Sequence, residues 1–137
     1  MTVLVTGANG FVGSALCARL RKNGTPVRGA VRAPNSHPSR AEAVAIGSLS
    51  SDTDWTEALR NVDRVVHLAA RVHVMNDKSS DPLAEFRRVN VEGTAHLARQ
   101  AAAAGVSRFV YLSSIKVNGE FSEAGPPFSA DDAPAPE

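Results

Sequence analysis

The sequence predicts an α/β fold built on a doubly wound parallel sheet, and three observations carry that expectation. Short β-branched apolar runs, such as Thr2–Thr6 and Val65-Val66-His67-Leu68-Ala69, lack the alternation of a half-solvated strand and read as strands buried on both faces. Stretches with apolar residues at helical spacing lie between them, so strands and helices alternate. Three glycines, Gly7, Gly10 and Gly13, fall at the first strand-to-helix junction.

The elements follow in order. After the strand Thr2–Thr6, Gly7-Ala8-Asn9-Gly10 turns the chain into a helix carried by Val12, Leu16 and Leu20 and closed by Asn23-Gly24. Pro26–Val31 and Val44–Ile46 are the second and third strands. Ala33–Arg40 between them contains Pro34 and Pro38 and reads as an irregular loop with at most a short helix. Thr53–Leu59 is a short helix capped by Thr53 or Asp52, and Asp63–Ala69 is the fourth strand. Arg71–Asp81 is a polar connection of about a dozen residues, a length associated with function in compact domains. Asp81-Pro82 opens a long helix as cap and first position. Its apolar face runs through Leu83, Phe86, Val89/Asn90, Gly93, Leu97 and Ala101, and Gly105 ends it. Arg108–Leu112 is a fifth strand. Gly119–Glu137, with Pro126, Pro127, Pro134, Pro136 and five acidic residues, reads as loop or disorder. About six or seven strands are the usual complement of such a sheet, so the chain is expected to be truncated after about five.

Composition excludes several function classes. The 137 residues are 43% hydrophobic and 21% charged, ordinary for one globular domain. Fifteen basic against fourteen acidic residues give a net charge of +1, too little to hold nucleic acid or an anionic membrane non-specifically. Cys17 stands alone, which leaves neither a disulfide framework nor a cysteine pair for zinc. His37, His73 and His96 lack metal-ligand spacing, His67 reads as a core or strand-end histidine, and no metal is expected. No apolar run approaches the ~20 residues of a membrane span, and no basic region precedes the first strand as in a signal peptide. A cytoplasmic location is the expectation.

The glycine turn carries the chemistry. Thr6-Gly7-Ala8-Asn9-Gly10-Phe11-Val12-Gly13 places Gly7 for a tight turn, Gly10 for backbone approach to a diphosphate, and Gly13 for close packing of helix on sheet. The amides of Phe11 and Val12, at the helix N-terminus, would hold phosphate oxygens with the help of the helix dipole, and Asn9 lies in the same turn. The alternative is that the glycines serve turn and packing alone. Their position at the first junction of an alternating chain is what makes the dinucleotide reading specific. The fold expected is accordingly Rossmann-like.

The spacing Gly-x-x-Gly-x-x-Gly, with His67-Leu68-Ala69-Ala70, Asn90-Val91-Glu92-Gly93-Thr94, Tyr111-Leu112-Ser113-Ser114 and Val117-Asn118-Gly119, resembles the extended short-chain dehydrogenase/reductases. Within them it is similar to the nucleotide-sugar epimerases and reductases of the NAD-dependent epimerase/dehydratase family. The resemblance runs through nearly the whole chain in the right order, and it specifies the superfamily better than any one substrate.

Cofactor identity turns on the end of the second strand, where an acidic residue usually reads a ribose 2′-hydroxyl. Here Gly29-Ala30-Val31-Arg32 offers Arg32, a planar cation suited to a 2′-phosphate. Its alternative is a solvated loop arginine. NADP is therefore favoured and NAD is the alternative, with Arg28 and Arg40 as candidate assistants. The family often binds adenine with an aspartate after the third strand. Gly47-Ser48-Leu49 puts Ser48 there, a weaker partner than a carboxylate, beside the backbone of Leu49.

Ala69 and Ala70 lie at the carboxyl end of the fourth strand, where small side chains let a ribose or nicotinamide rest on the backbone, although alanine also suits plain strand packing. The resemblance places Arg71 near the cofactor. Asn90 falls in an apolar stripe and must find partners. The resemblance has it bond backbone around the active site, and a purely structural role is equally open. Ser114 matches the family's catalytic serine or threonine, which bonds the substrate's reacting oxygen, with strand-to-loop punctuation as the alternative. Ile115 and Lys116 occupy the places where sugar dehydratases carry Asp-Glu, which argues against dehydration. Asn118 stands where many relatives have tyrosine.

The family's base is Tyr-x-x-x-Lys. The single tyrosine, Tyr111, lies in a strand, and residue 115 is isoleucine. Residues 1–118 thus read as an incomplete dinucleotide-binding domain and 119–137 as a loop leading to an absent part. The function expected is the cofactor-binding portion of a nucleotide-sugar 4-epimerase or 4-keto-sugar reductase, binding cofactor without turnover. The alternatives are a reductase of another ketone class or a non-catalytic NADP-binding regulator. The uncovered fifth strand predicts a homodimer or edge pairing.

Overall fold

The computed structural model describes residues 1–33, 42–72, 79–119 and 127–136. Val3–Thr6 (β1), Val27–Val31 (β2), Glu42–Ala45 (β3), Arg64–His67 (β4) and Arg108–Tyr111 (β5) form one parallel sheet in the order β3-β2-β1-β4-β5. The chain builds outward from β1 to β3, then returns to β1 and builds the other way. The order therefore reverses between β1 and β4, and a crevice opens at their carboxyl ends.

Strand periodicity divides the core into two. Val3, Val5, Val27 and Val31 meet Cys17 of helix α1 (Phe11–Lys22), while Leu4, Ala30 and Val65 point the other way. That second face is covered by Trp55, by Leu59 of α2 (Thr56–Leu59), and by Leu97 and Ala101 of α4 (Thr94–Ala103). Burial on both faces is why β1 carries a nearly continuous apolar run and why every residue of β2 is buried, Arg28 included.

The elements depart from the sequence expectation where side chains have competing partners. The short helix begins at Thr56, because the Thr53 hydroxyl accepts from Ser50 N (2.9 Å) and donates to Ser48 O (2.9 Å), and Asp54 Oδ1 takes the Thr56 amide (2.9 Å). The long helix opens as expected, with Asp81 Oδ1 accepting from Ala84 N (2.9 Å) and Pro82 first in α3 (Pro82–Arg87). It then widens into a π-helical segment, Arg88–Gly93, before continuing as α4. Arg28 is corrected outright. It is buried, and its Nη1 donates to the carbonyls of Glu57 (3.2 Å), Ala58 (3.1 Å) and Arg60 (2.6 Å), tying β2 to the C-terminal end of α2 rather than to any ligand.

Residues 127–136 form neither helix nor strand but are tied back to the chain. Ala135 N donates to Val117 O (2.8 Å), Asn118 Nδ2 to Asp132 O (3.3 Å), and Ser129 N to Asp132 Oδ2 (2.8 Å). The expectations for Pro34, Pro38, His37, Arg40, His73 and most of the polar connection fall outside the described residues. Among the described residues, no helix is long and apolar enough to cross a membrane, and no three His, Cys, Asp or Glu side chains group to hold a metal ion.

Candidate functional site

The crevice beside β1 is a cavity of about 820 Å³. Gly7, Asn9 and Gly10 line it from the turn, Arg32 from the end of β2, Ser48 and Leu49 from beyond β3, and Ala69, Ala70 and Arg71 from beyond β4. One wall thus gathers residues more than sixty positions apart in the chain, because parallel strands end on the same side.

The turn has little freedom. Gly7 sits at φ +63°, and a Cβ there would lie 3.0 Å from Ala69 N and 3.1 Å from the Leu68 carbonyl carbon. A Cβ on Gly13 would lie 2.0 Å from Gly7 O, inside bonding range of backbone that cannot yield. Helix α1 therefore approaches β1 as closely as it does only because residue 13 is glycine. Its N-cap, Gly10, has no side chain to satisfy the first-turn amides, and no acidic residue occupies that turn. The N–H groups of Phe11 and Val12 have no intrahelical acceptor, and the positive end of the helix dipole faces outward beside the cavity. The Phe11 side chain is 96% exposed.

Thr6, the last residue of β1, was absent from the residues the sequence singled out beyond its place in the glycine motif. Its Oγ1 accepts from Leu68 N (3.0 Å) and Ala69 N (3.0 Å) and lies 2.7 Å from His67 Nδ1; His67 Nε2 lies 2.9 Å from Thr94 Oγ1. His67 is 1% exposed, stacks on Tyr111 at 5.9 Å, and burial pushes its pKa down to about 4. It is a strand-end core histidine, as its sequence suggested. A lone polar residue closing an apolar strand was the available signal for Thr6.

Beyond β4, Asn90 grips the loop by both backbone groups of one residue. Its Oδ1 accepts from Arg71 N (2.7 Å) and its Nδ2 donates to Arg71 O (2.9 Å). Asn90 lies in the π-helical segment and is half-buried, so a wider turn aims its amide at the loop. The Arg71 guanidinium lies over the Phe86 ring at 5.3 Å.

At the opposite end, Arg32 and Ser48 are exposed at the cavity rim, and Leu49 is buried beneath it. Leu49 packs on Gly93, where a Cβ would meet Leu49 Cγ at 2.8 Å. Arg88 also lines this cavity, held by Glu85 through two bonds, Nε to Oε2 (2.9 Å) and Nη2 to Oε1 (2.6 Å). Sequence reasoning missed this pair, whose i,i+3 spacing is common on any helix surface.

Ser114 lies apart from the cavity lining. It caps a 3₁₀ turn, Ile115–Asn118, with its Oγ accepting from Lys116 N (3.3 Å), and it is exposed.

Comparison with known proteins places this arrangement. A family model described as the NAD dependent epimerase/dehydratase family matches residues 3–136. The chain is 45% identical over 138 residues to a UDP-glucose 4-epimerase of Vibrio cholerae, covering 99% of this chain and 42% of the relative. It is 36% identical over 120 residues to a 3-beta-hydroxysteroid dehydrogenase of Mycolicibacterium neoaurum, covering 84% of this chain and 32% of the relative. Among solved structures, MoeE5 in complex with UDP-glucose and NAD matches with a TM-score of 0.81 and 36% identity, over 99% of this chain and 43% of that one. The chain spans less than half the length of the curated relatives it matches. With its Rossmann-like sheet and glycine turn, the chain belongs to the NAD dependent epimerase/dehydratase family.

Proposed function

We propose that this chain binds a nicotinamide dinucleotide as the cofactor-binding portion, residues 1–118, of a nucleotide-sugar oxidoreductase. The single observation that carries the reading is the cavity at the β1–β4 switch point, with an uncapped helix N-terminus at its edge. The fit is supported by the crowding at Gly7 and Gly13, which leaves backbone rather than side chain facing the space where a diphosphate belongs. In this reading the amides of Phe11 and Val12 hold the diphosphate, with Asn9 and Gly10 forming the turn. Ser48 and Leu49 take the adenine end, while Ala69, Ala70 and Arg71 take the nicotinamide end. Asn90 holds that last segment in place through Arg71. Ser114 donates a hydrogen bond to the substrate's reacting oxygen.

The dinucleotide, when bound, supplies a hydride acceptor or donor at its nicotinamide ring, and the paired reaction is hydride exchange with C4 of a nucleotide sugar. Support for that substrate class comes from the UDP-glucose 4-epimerase relative and from the UDP-glucose held by MoeE5. The steroid dehydrogenase relative supports the alternative of another ketone class. The 137 residues hold no Tyr-x-x-x-Lys, so the chain by itself is proposed to bind without turnover, general-base assistance being worth roughly 10²–10⁴-fold. The exposed face of β5 supports pairing with a second copy or another segment at that edge.

Two observations pull cofactor choice in opposite directions. Arg32 at the rim supports a 2′-phosphate and hence NADP, whereas the NAD in MoeE5 supports NAD. Calorimetric titration with NADH and NADPH tests both. Binding of either supports the functional reading, and binding of neither overturns it; the tighter of the two identifies the cofactor.

A further inference from the structure

Buried Thr6 and His67 and half-buried Thr94 form a polar connection with one allowed arrangement of protons. A hydroxyl has one hydrogen and two lone pairs. Both Thr6 lone pairs are taken by the amides of Leu68 (3.0 Å) and Ala69 (3.0 Å), so its hydrogen points to His67 Nδ1 at 2.7 Å. Nδ1 must then be bare. The ring, neutral in this 1%-exposed position, carries its proton on Nε2 and donates it to Thr94 Oγ1 at 2.9 Å.

The connection closes on itself. Thr94 lies four residues beyond Asn90, whose amide bonds both backbone groups of Arg71. From Arg71 the chain runs back through Ala70 to Ala69, whose amide returns to Thr6. The 68–71 loop is thus held at its start by the end of β1 and at its finish by the π-helical segment, with His67 bridging strand and helix. Gly7, in the turn next to Thr6, packs on the same Leu68–Ala69 backbone.

We infer that His67 is a positioning residue for the dinucleotide site: as the Nε2–H tautomer it couples Thr6 to Thr94, so that the glycine turn and the 68–71 wall keep one relative geometry before any ligand arrives. This rests on the proposed cofactor site. It adds that the affinity of that site depends on a hydroxyl at position 94, which does not line the cavity.

The first test needs no substitution. Long-range ¹H–¹⁵N correlation of the unaltered chain at neutral pH is expected to show His67 protonated at Nε2 and bare at Nδ1. An Nδ1–H tautomer or an imidazolium overturns the inference. The second test compares Thr94→Val, which keeps the shape and removes the acceptor, with Thr94→Ser, which restores it. At a temperature where all chains are folded, Thr94→Val is expected to weaken binding of NADH or NADPH, whichever the unaltered chain takes, roughly tenfold. Thr94→Ser is expected to stay within about twofold of the unaltered chain. A network that only stabilises the fold would lower the melting temperature of Thr94→Val and leave its affinity unchanged, and that result overturns the inference. If the unaltered chain binds neither dinucleotide, the functional reading fails and the inference with it. Undiminished binding by Thr94→Val sinks the inference alone.

Discussion

The two sides of the sheet's carboxyl edge are built differently. Beside β1 the backbone is crowded and tied: there is no room for a Cβ between Gly13 and Gly7 O, Thr6 satisfies two amides of the loop after β4, and Asn90 satisfies two groups of Arg71. On β5 and just beyond it, Val110, Tyr111, Leu112 and Ile115 stand 45–64% exposed, and among the described residues Ser114 bonds only to the turn it caps. Buried polar groups need partners and acquire a unique geometry by finding them, whereas an exposed apolar strand face acquires none until something covers it. The region expected to hold a cofactor is therefore organised within this chain, and the region expected to meet substrate is not.

That contrast can be broken most severely at residue 13. Gly13→Ala is expected to destabilise the fold by about 3 kcal/mol or more and to abolish dinucleotide binding, since the added Cβ meets the backbone of Gly7 and Ala8 in the turn. Chemical denaturation with parallel titration measures both, and a near-neutral Gly13→Ala would show that α1 can lift off the sheet at little cost.

Acid gives the next effect. The folded value for His67 is about 4 and the unfolded value about 6.5, so between these the unfolded chain binds the extra proton. The contribution from neutral His67 is complete above pH 6.5 and is lost as the pH falls towards 4, with a limit of roughly 3 kcal/mol. Denaturation midpoints of the unaltered chain and His67→Phe across pH 7 to 4.5 should converge on acidification. Parallel curves would remove His67 from the organised side.

A smaller change is expected at the rim. Arg32→Ala should weaken NADPH binding about tenfold and leave NADH within about twofold, because a guanidinium has a 2′-phosphate partner in one ligand and none in the other. Equal titrations of Arg32→Ala and the unaltered chain with both ligands would dismiss Arg32 from recognition. Smallest is the effect on the open side. Val110→Thr with Leu112→Ser should shift stability by less than about 0.5 kcal/mol while lowering self-association in sedimentation velocity. A large loss of stability there would mean that β5 is already part of a closed core.

Much of the organised side was legible because its signals are local. The run Val3–Thr6, the glycines at positions 7, 10 and 13, and Asp81-Pro82 each state a backbone requirement that few other residues meet. The signals that misled were also local. Arg28 reads as a candidate assistant to Arg32, yet its side chain turns to two carbonyls of α2 and to that of Arg60 just after it, some thirty residues away. Thr53 reads as a cap, yet its hydroxyl is spent on the 48–50 loop.

What the sequence by itself determined is the sheet, its alternation with helices and the glycine turn, since period-two burial and the absence of a Cβ act on neighbours along the chain. What only the tertiary structure decided is where polar side chains spend their hydrogen bonds: His67 between Thr6 and Thr94, Asn90 on Arg71, Arg28 on α2. Those choices depend on which donors and acceptors packing leaves unsatisfied and buried, and that is settled when distant segments are brought together.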